Sequence, residues 1–253
     1  MASSARNYQL VIILVMLTFL ITSSSGQEPE SSLLLKFKSS LANTTFLSNW
    51  NAAVPLCGSN ISYWYGLICY NGIFIGLQLE NMGLSGDLDV DALSQLTSLR
   101  TISVMNNNFE GPLPDVRKLT GLRGLFLSNN RFSGELPDDA FAGIKSIRRI
   151  LLANNGFTGK IPTSLVAIPK LIELQLQDNK FDGTIPAFAQ PDLVLDFANN
   201  RLEGPIPPLL SNLSLRSFEG NLDLCGKPMP PCLPSKVEER KLSKKNGIRY
   251  RSI

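Results

Sequence analysis

Four cysteines are the side chains of this sequence best suited to chemistry, because a thiolate can bind zinc, attack a substrate or enter a disulfide. They occur as two groups near opposite ends of the chain: Cys57, Cys69, Cys225 and Cys232. The sequence has no histidine and no Cys-x-x-Cys clip, so a zinc site is disfavoured. Four cysteines allow three pairings, and the sequence alone does not choose among them.

Neighbouring acidic residues are the other candidates for chemistry, since two carboxylates can act as general acid and general base. The pairs Asp138–Asp139 and Glu238–Glu239 are sequence neighbours, and we predict that they are solvated in a loop and in the tail. No convergent set of acids, bases and nucleophiles is present. We therefore predict a non-catalytic protein without catalytic residues, cofactor or metal.

The N-terminus and the glycosylation motifs indicate export. Arg6 precedes an apolar run over residues 10–21 and then small residues, which predicts a signal peptide at residues 1–26. An uncleaved anchor is the alternative, but the run is shorter than the roughly 20 residues that span a bilayer. No later segment is apolar for that length, so no membrane span is expected in the mature chain. Asn43, Asn60 and Asn212 are predicted N-glycosylation sites.

The formal net charge of +3 is unevenly distributed. Basic side chains concentrate in residues 236–253, where we predict a disordered basic tail. The remainder is close to neutral, which argues against a nucleic-acid partner, because such a groove needs basic side chains along the domain surface.

A recurring phrase dominates the middle of the chain. "LFLSNNRFSGELP" at 125–137 recurs in six recognisable copies at intervals of 21 to 25 residues. This period and the pattern L-x-x-L-x-L-x-x-N-x-L predict a leucine-rich repeat solenoid. The predicted fold is an α/β solenoid with about six repeats over residues 72–221.

Each position of the phrase has a physical role. Alternating leucines such as Leu125 and Leu127 face one side of a strand and bury a core shared between coils. A buried asparagine can bond backbone groups of its own and neighbouring coils, which predicts a ladder. Met82 occupies this position in the first copy, so the predicted ladder comprises Asn107, Asn130, Asn155, Asn179, Asn200 and Asn221. The next core position predicts a stack of phenylalanines, and Gly and Pro then bend the chain away from a single continuous sheet.

Both ends of a solenoid need covering. At residues 27–71 we predict an N-terminal cap, in which Leu33, Leu34, Phe37 and Leu41 have the spacing of an amphipathic helix and Trp64 packs inward. A C-terminal cap is predicted at 222–235. Pairing of cysteines within each end is favoured because the repeats would hold the ends apart; all four are predicted to be structural, with a free redox thiol as the alternative.

Several stretches carry a family resemblance. The Gly-x-Ile-Pro extension resembles the plant-specific repeat class, and "WYGLIC" resembles the N-terminal domain of plant leucine-rich repeat receptors. The stretches "MNNNFEGPLPDV", "LSNNRFSGELPDDAF" and "SFEGNLDLCGKPMPPC" resemble the extracellular half of the pollen receptor-like kinases over about residues 27–233. The resemblance implies a receptor part that senses extracellular peptides or proteins during pollen-tube growth. The family's kinase motifs are not found, so we expect a chain truncated before the membrane span and kinase domain, without kinase activity.

Residues beside the core leucines are expected to face a partner. The hypothesis is that an apolar patch at Phe126 and Leu151 and its polar surroundings bind an extracellular peptide or protein, with a co-receptor as a further partner. The predicted ligand-binding residues are Met105, Phe126, Arg149, Leu151, Glu173, Gln175 and Asp196. Alternatives are a secreted inhibitor of a wall-degrading enzyme and a soluble decoy receptor. The expected location is extracellular, or the plasma membrane if the chain is part of a full-length receptor.

Overall fold

The structure is a computed structural model that describes residues 28–233. The predicted signal peptide (1–26) and basic tail (236–253) lie outside the described residues. Within residues 28–233, strands of successive repeats pair side by side, which confirms the predicted leucine-rich repeat solenoid.

The solenoid contains two helices and fifteen short strands among the described residues. The helices are α1 (Glu30–Ser39) and α2 (Val90–Ser94). The strands are β1 (Leu41–Ala42), β2 (Leu67–Tyr70), β3 (Ile73–Gln78), β4 (Ser85–Gly86), β5 (Thr101–Ser103), β6 (Glu110–Gly111), β7 (Gly124–Phe126), β8 (Arg131–Glu135), β9 (Arg149–Leu151), β10 (Gly156–Lys160), β11 (Glu173–Gln175), β12 (Lys180–Gly183), β13 (Val194–Asp196), β14 (Arg201–Pro205) and β15 (Asp223–Cys225). Between the later strands the chain forms short 3-10 turns at Val116–Lys118, Thr163–Leu165, Pro208–Leu210 and Leu215–Ser217.

The main sheet has seven strands in chain order: β2, β3, β5, β7, β9, β11 and β13. From β3 onward the strands are parallel and keep a constant register, in which Leu125 lies between Ile102 and Ile150. Strand β2 pairs with β3 in the antiparallel direction. Because the register is constant, equivalent positions of successive repeats form columns across the sheet.

A second parallel sheet, not expected from the sequence, contains β6, β8, β10, β12, β14 and β15. Glycines predicted only to bend the chain lie within its strands; Gly134, for example, lies in β8 with a φ of 88°. A positive φ is unstrained for glycine, so the chain can bend and keep its ladder bonds. Pro137 and Pro162 follow the ends of β8 and β10, where their missing N–H breaks no ladder bond.

The N-terminal helix covers the first coils. Helix α1 buries Leu33, Leu34 and Phe37, as its spacing predicts. Leu41 is buried too, but it lies beyond the helix in β1, which pairs with β4 of the first repeat. The helical assignment of Leu41 was therefore wrong, because pairing with Gly86 extends the chain there.

Aromatic rings stack through the repeats. Phe109, Phe132, Phe157 and Phe181 are nearly unexposed, and successive ring centroids lie 6.1 to 6.2 Å apart. Burying such a ring contributes roughly 1.5 to 3 kcal/mol. Since each ring touches rings of adjacent coils, this stabilisation requires neighbouring repeats.

The asparagines of the repeat link one coil to the next. The Asn155 side-chain oxygen accepts a hydrogen bond from the Phe132 backbone N–H at 3.0 Å. Its amide nitrogen donates to the carbonyls of Leu127, Leu152 and Ala153 at 3.1 Å each. Asn107, Asn130, Asn179, Asn200 and Asn221 bond in the same way. Backbone groups that the turning chain leaves unpaired are thereby satisfied.

Disulfides close both ends of the described chain. Cys57 pairs with Cys69 and Cys225 with Cys232, with Cα–Cα distances of 5.8 and 4.8 Å. Trp64, inside the loop that Cys57 and Cys69 close, is fully buried, and its indole packs on that of Trp50 at a centroid distance of 5.4 Å. The buried side chains at both ends, such as Trp64 and Leu224, belong to the same continuous core as those of the repeats.

Candidate functional site

The predicted ligand-binding residues lie on one surface, which we call the strand face. It is the solvent side of the main-sheet strands β5, β7, β9, β11 and β13 and of the residue two positions after each of them. The register places Phe126 beside Leu151, Leu151 beside Gln175 and Gln175 beside Asp196. Arg149 and Glu173 are side by side at the starts of their strands, and Met105 lies two positions after β5. The seven residues thus belong to one contiguous surface.

The apolar centre of the strand face is shallow. Phe126 and Leu151 are both half-buried. The Phe126 ring lies over Gly124 of its own strand, where an added Cβ would come within 2.6 Å of the ring. Part of the ring is covered because Gly124 has no side chain to hold it away.

Ionic contacts order the residues beside this centre. Arg149 Nε lies 3.4 Å from one carboxylate oxygen of Glu173. The other oxygen accepts a hydrogen bond from Gln175 Nε2 at 2.8 Å. Glu173 is thus contacted from both sides, which favours one arrangement of the three polar side chains.

Acidic groups gather at the C-terminal end of the strand face. Burial raises the pKa of the Asp196 carboxyl above its ordinary value of 3.8, and the nearby carboxylates of Asp178 and Glu219 raise it further. The N–H of Ala198 donates to Asp196 at 3.0 Å and opposes this effect. The three carboxylates make this end of the surface electronegative.

A second, exposed amide ladder runs along the edge of the strand face, and we did not predict it. Asn154 Nδ2 donates to Asn129 Oδ1 at 2.9 Å, and Asn129 Nδ2 donates to Asn106 Oδ1 at 2.7 Å. Farther along, Asn199 Nδ2 donates to Asp178 Oδ1 at 2.8 Å. All five have a positive φ, which Asn and Asp tolerate better than most residues. In the sequence, each of them is the residue just before an asparagine of the first ladder, such as Asn130 or Asn155.

A depression opens next to this exposed ladder. It has a volume of about 380 Å³ and is lined by Met105, Ser128, Asn129, Ala153, Asn154, Gln175, Gln177 and Asp178. Met105, Ser128, Ala153 and Gln177 occupy the same position in four successive repeats. The hollow forms because two small side chains lie between two long ones. Of the predicted residues, it brings together Met105 and Gln175.

The N-terminal cap carries features outside the repeat pattern. Its large exposed apolar side chains are Phe46, Val54, Ile61, Tyr63, Tyr65 and Tyr70. Phe46 and Tyr65 stack at a centroid distance of 6.5 Å. Repeat periodicity could not predict this surface because it precedes the repeats. The predicted glycosylation sites Asn43, Asn60 and Asn212 are all exposed.

Two kinds of feature, a metal-ligand cluster and a membrane-spanning helix, are absent from the described residues. Between residues 28 and 233, no group of three His, Cys, Asp or Glu side chains is placed to hold a metal ion. No helix in that range combines the length and apolar composition needed to cross a membrane.

Models of known protein families match most of the described residues. Residues 28–70 match the leucine rich repeat N-terminal domain, and residues 120–181 and 193–213 match leucine rich repeat families. These repeats and their N-terminal domain are non-catalytic.

Known proteins similar to the chain include plant receptors. Pollen receptor-like kinase 4 of Arabidopsis thaliana is 50% identical over 80% of this chain, which spans 30% of that relative's length. The Arabidopsis receptor kinase HAESA, solved with the peptide hormone IDA and the co-receptor SERK1, aligns with 80% of this chain and 35% of HAESA, with a TM-score of 0.66 and 28% identity.

The crystal structure of a Pollen Receptor Kinase 3 superposes with a TM-score of 0.73 and 38% identity. The alignment covers 81% of this chain and 100% of that structure. Together with the matching repeats and N-terminal domain, this shows that the chain belongs to the pollen receptor-like kinase family and comprises its leucine-rich repeat portion.

Proposed function

We propose that the chain is an extracellular recognition module that binds a peptide or protein ligand through the strand face. The observation that carries the proposal is the constant register, which assembles an apolar centre and its polar neighbours from separate repeats. The receptor role of the family supports it, as does the peptide hormone bound by HAESA.

The physical properties of the strand face suit binding. Its backbone is fixed by ladders on both sheets, so a partner would not have to order it, and preorganisation of this kind favours affinity. Phe126 and Leu151 supply apolar contact area, while Arg149, Glu173 and Gln175 supply hydrogen bonds around it. An apolar centre with a polar rim is the usual arrangement of an interaction site.

We further propose that a co-receptor is a second partner and that the chain acts outside the cell, at the plasma membrane when it forms part of a complete receptor. The SERK1 co-receptor in the HAESA complex supports this class of partner. To test this, the secreted chain is mixed with a soluble SERK1 ectodomain, with and without a peptide that binds the chain, and the mixtures are compared by size-exclusion chromatography. We expect a complex to form only when the peptide is present.

Selection of a displayed library of random linear peptides on the secreted full chain tests ligand binding. We expect enriched peptides to lose at least about tenfold in affinity for Phe126→Glu/Leu151→Glu. The control is Leu209→Glu/Leu215→Glu, which adds the same charge at exposed positions outside the main sheet. Equal affinities for both double variants, each with an unchanged far-UV spectrum, would reject the strand face as the binding surface.

A further inference from the structure

The exposed amide ladder has a direction, and that direction fails at one point. From Asn154 to Asn106 every amide nitrogen donates toward the N-terminal end. Asn199 donates in the same sense to Asp178. Among residues 28–233 no hydrogen bond joins Asp178 to Asn154, because a carboxylate has no N–H to pass on. Two hydrogen-bond acceptors, the Asn154 oxygen and the Asp178 carboxylate, therefore adjoin without a donor between them.

The break lies at the depression on the strand face. Asn154 and Asp178 both line it. Ser128 and Gln177 also line it. Their side-chain oxygens, Ser128 Oγ and Gln177 Oε1, are the buried side-chain atoms of the described residues that have no hydrogen-bond partner. Ser128 is only 3% exposed. A polar atom buried without a partner destabilises the fold, so a ligand that satisfies it gains affinity.

The charge around the depression favours a positively charged group on the ligand. Asp178 and Glu219 lie close enough to Asp196 to raise its pKa. Between residues 28 and 233, none of these three carboxylates forms a salt bridge with Lys or Arg. A cation entering the depression would approach uncompensated negative charge.

We propose that the depression binds a cationic side chain of the ligand, with Asp178, Gln177 and the Asn154 oxygen accepting its hydrogen bonds. This inference rests on the proposed function and names the chemistry of one ligand residue. An arginine fits best, because a planar guanidinium carries five N–H donors and can reach several acceptors at once. The small side chains of Ser128 and Ala153 leave the room for its stem, and Ser128 Oγ can accept one of the guanidinium hydrogen bonds.

The peptides enriched on the wild-type chain provide the test. We expect a basic residue at one fixed position, and replacing it by citrulline, a neutral isostere of arginine, should weaken binding about tenfold or more. On Asp178→Asn, which keeps the side-chain shape, the same replacement should change affinity by less than about twofold. Ala153→Leu should fill the hollow and weaken the arginine peptide about as strongly as citrulline does.

Asp182→Asn is the matched control, since Asp182 is an exposed carboxylate in β12, outside the strand face. It should leave the citrulline effect intact. Peptides that depend on Phe126 and Leu151 but show equal citrulline effects on wild type and Asp178→Asn would overturn this inference alone. Peptides that depend on neither region, or a selection without binders, would overturn the proposed function as well.

Discussion

Removing one buried asparagine should cost far more stability than its size suggests. Asn179 Oδ1 accepts from the Phe157 N–H at 3.1 Å, and Nδ2 donates to the carbonyls of Leu152, Leu176 and Gln177 at 3.0 to 3.2 Å. Because the side-chain amide has only two N–H groups for its three carbonyl partners, we count two donated hydrogen bonds and one accepted hydrogen bond, three in total. At a net value near 1 kcal/mol each, Asn179→Ala should lower the free energy of unfolding by about 3 kcal/mol.

Urea denaturation measures this change. Far-UV circular dichroism reports on all the strands, whereas fluorescence reports on Trp50 and Trp64, both in the N-terminal cap. If the solenoid unfolds as one unit, the two midpoints shift together; if only nearby coils loosen, the fluorescence midpoint shifts less.

Two further variants make the comparison specific. Asn108→Ala removes an exposed asparagine whose side chain makes no hydrogen bond within the described residues, so stability should change by no more than about 0.5 kcal/mol. Asn179→Asp keeps the acceptor but turns a negative group toward three carbonyls, so it should be at least as destabilising as alanine at neutral pH. Equal midpoints for Asn179→Ala and Asn108→Ala would refute the ladder as a source of stability.

Two other changes have clear expected results. Gly220→Ala would bring a Cβ within 2.2 Å of Asn199 Oδ1 and should lower the free energy of unfolding by about 2 kcal/mol or more. Gly143 also has a positive φ but faces open space, so Gly143→Ala should lower it by about 1 kcal/mol. Urea denaturation midpoints measure both changes. Because burial raises the pKa of Asp196, its charge destabilises the fold at pH values above that raised pKa and not below the ordinary value of 3.8; Asp196→Asn should therefore raise the thermal midpoint at pH 7 and less at pH 4, and an equal rise at both would contradict this reasoning.

The strand face was partly predictable. The columns containing Phe126, Leu151 and Gln175 follow from repeat spacing, because a constant period gives a constant strand register. The half-burial of Phe126 did not follow, since it depends on how the ring lies over Gly124. The break that Asp178 makes in the exposed amide ladder was also missed, because it depends on the direction in which the neighbouring side-chain amides donate.

The sequence by itself determined the solenoid, its core and the positions of the buried asparagines. Each of these is set by a local pattern that recurs in every repeat, so an irregular copy such as the one with Met82 does not obscure the pattern. Only the tertiary structure decided the second sheet, the cysteine pairing and the depression beside Asn154 and Asp178. These features depend on unlike side chains or backbone segments meeting across coils, and the relative placement of such groups is fixed by packing in three dimensions.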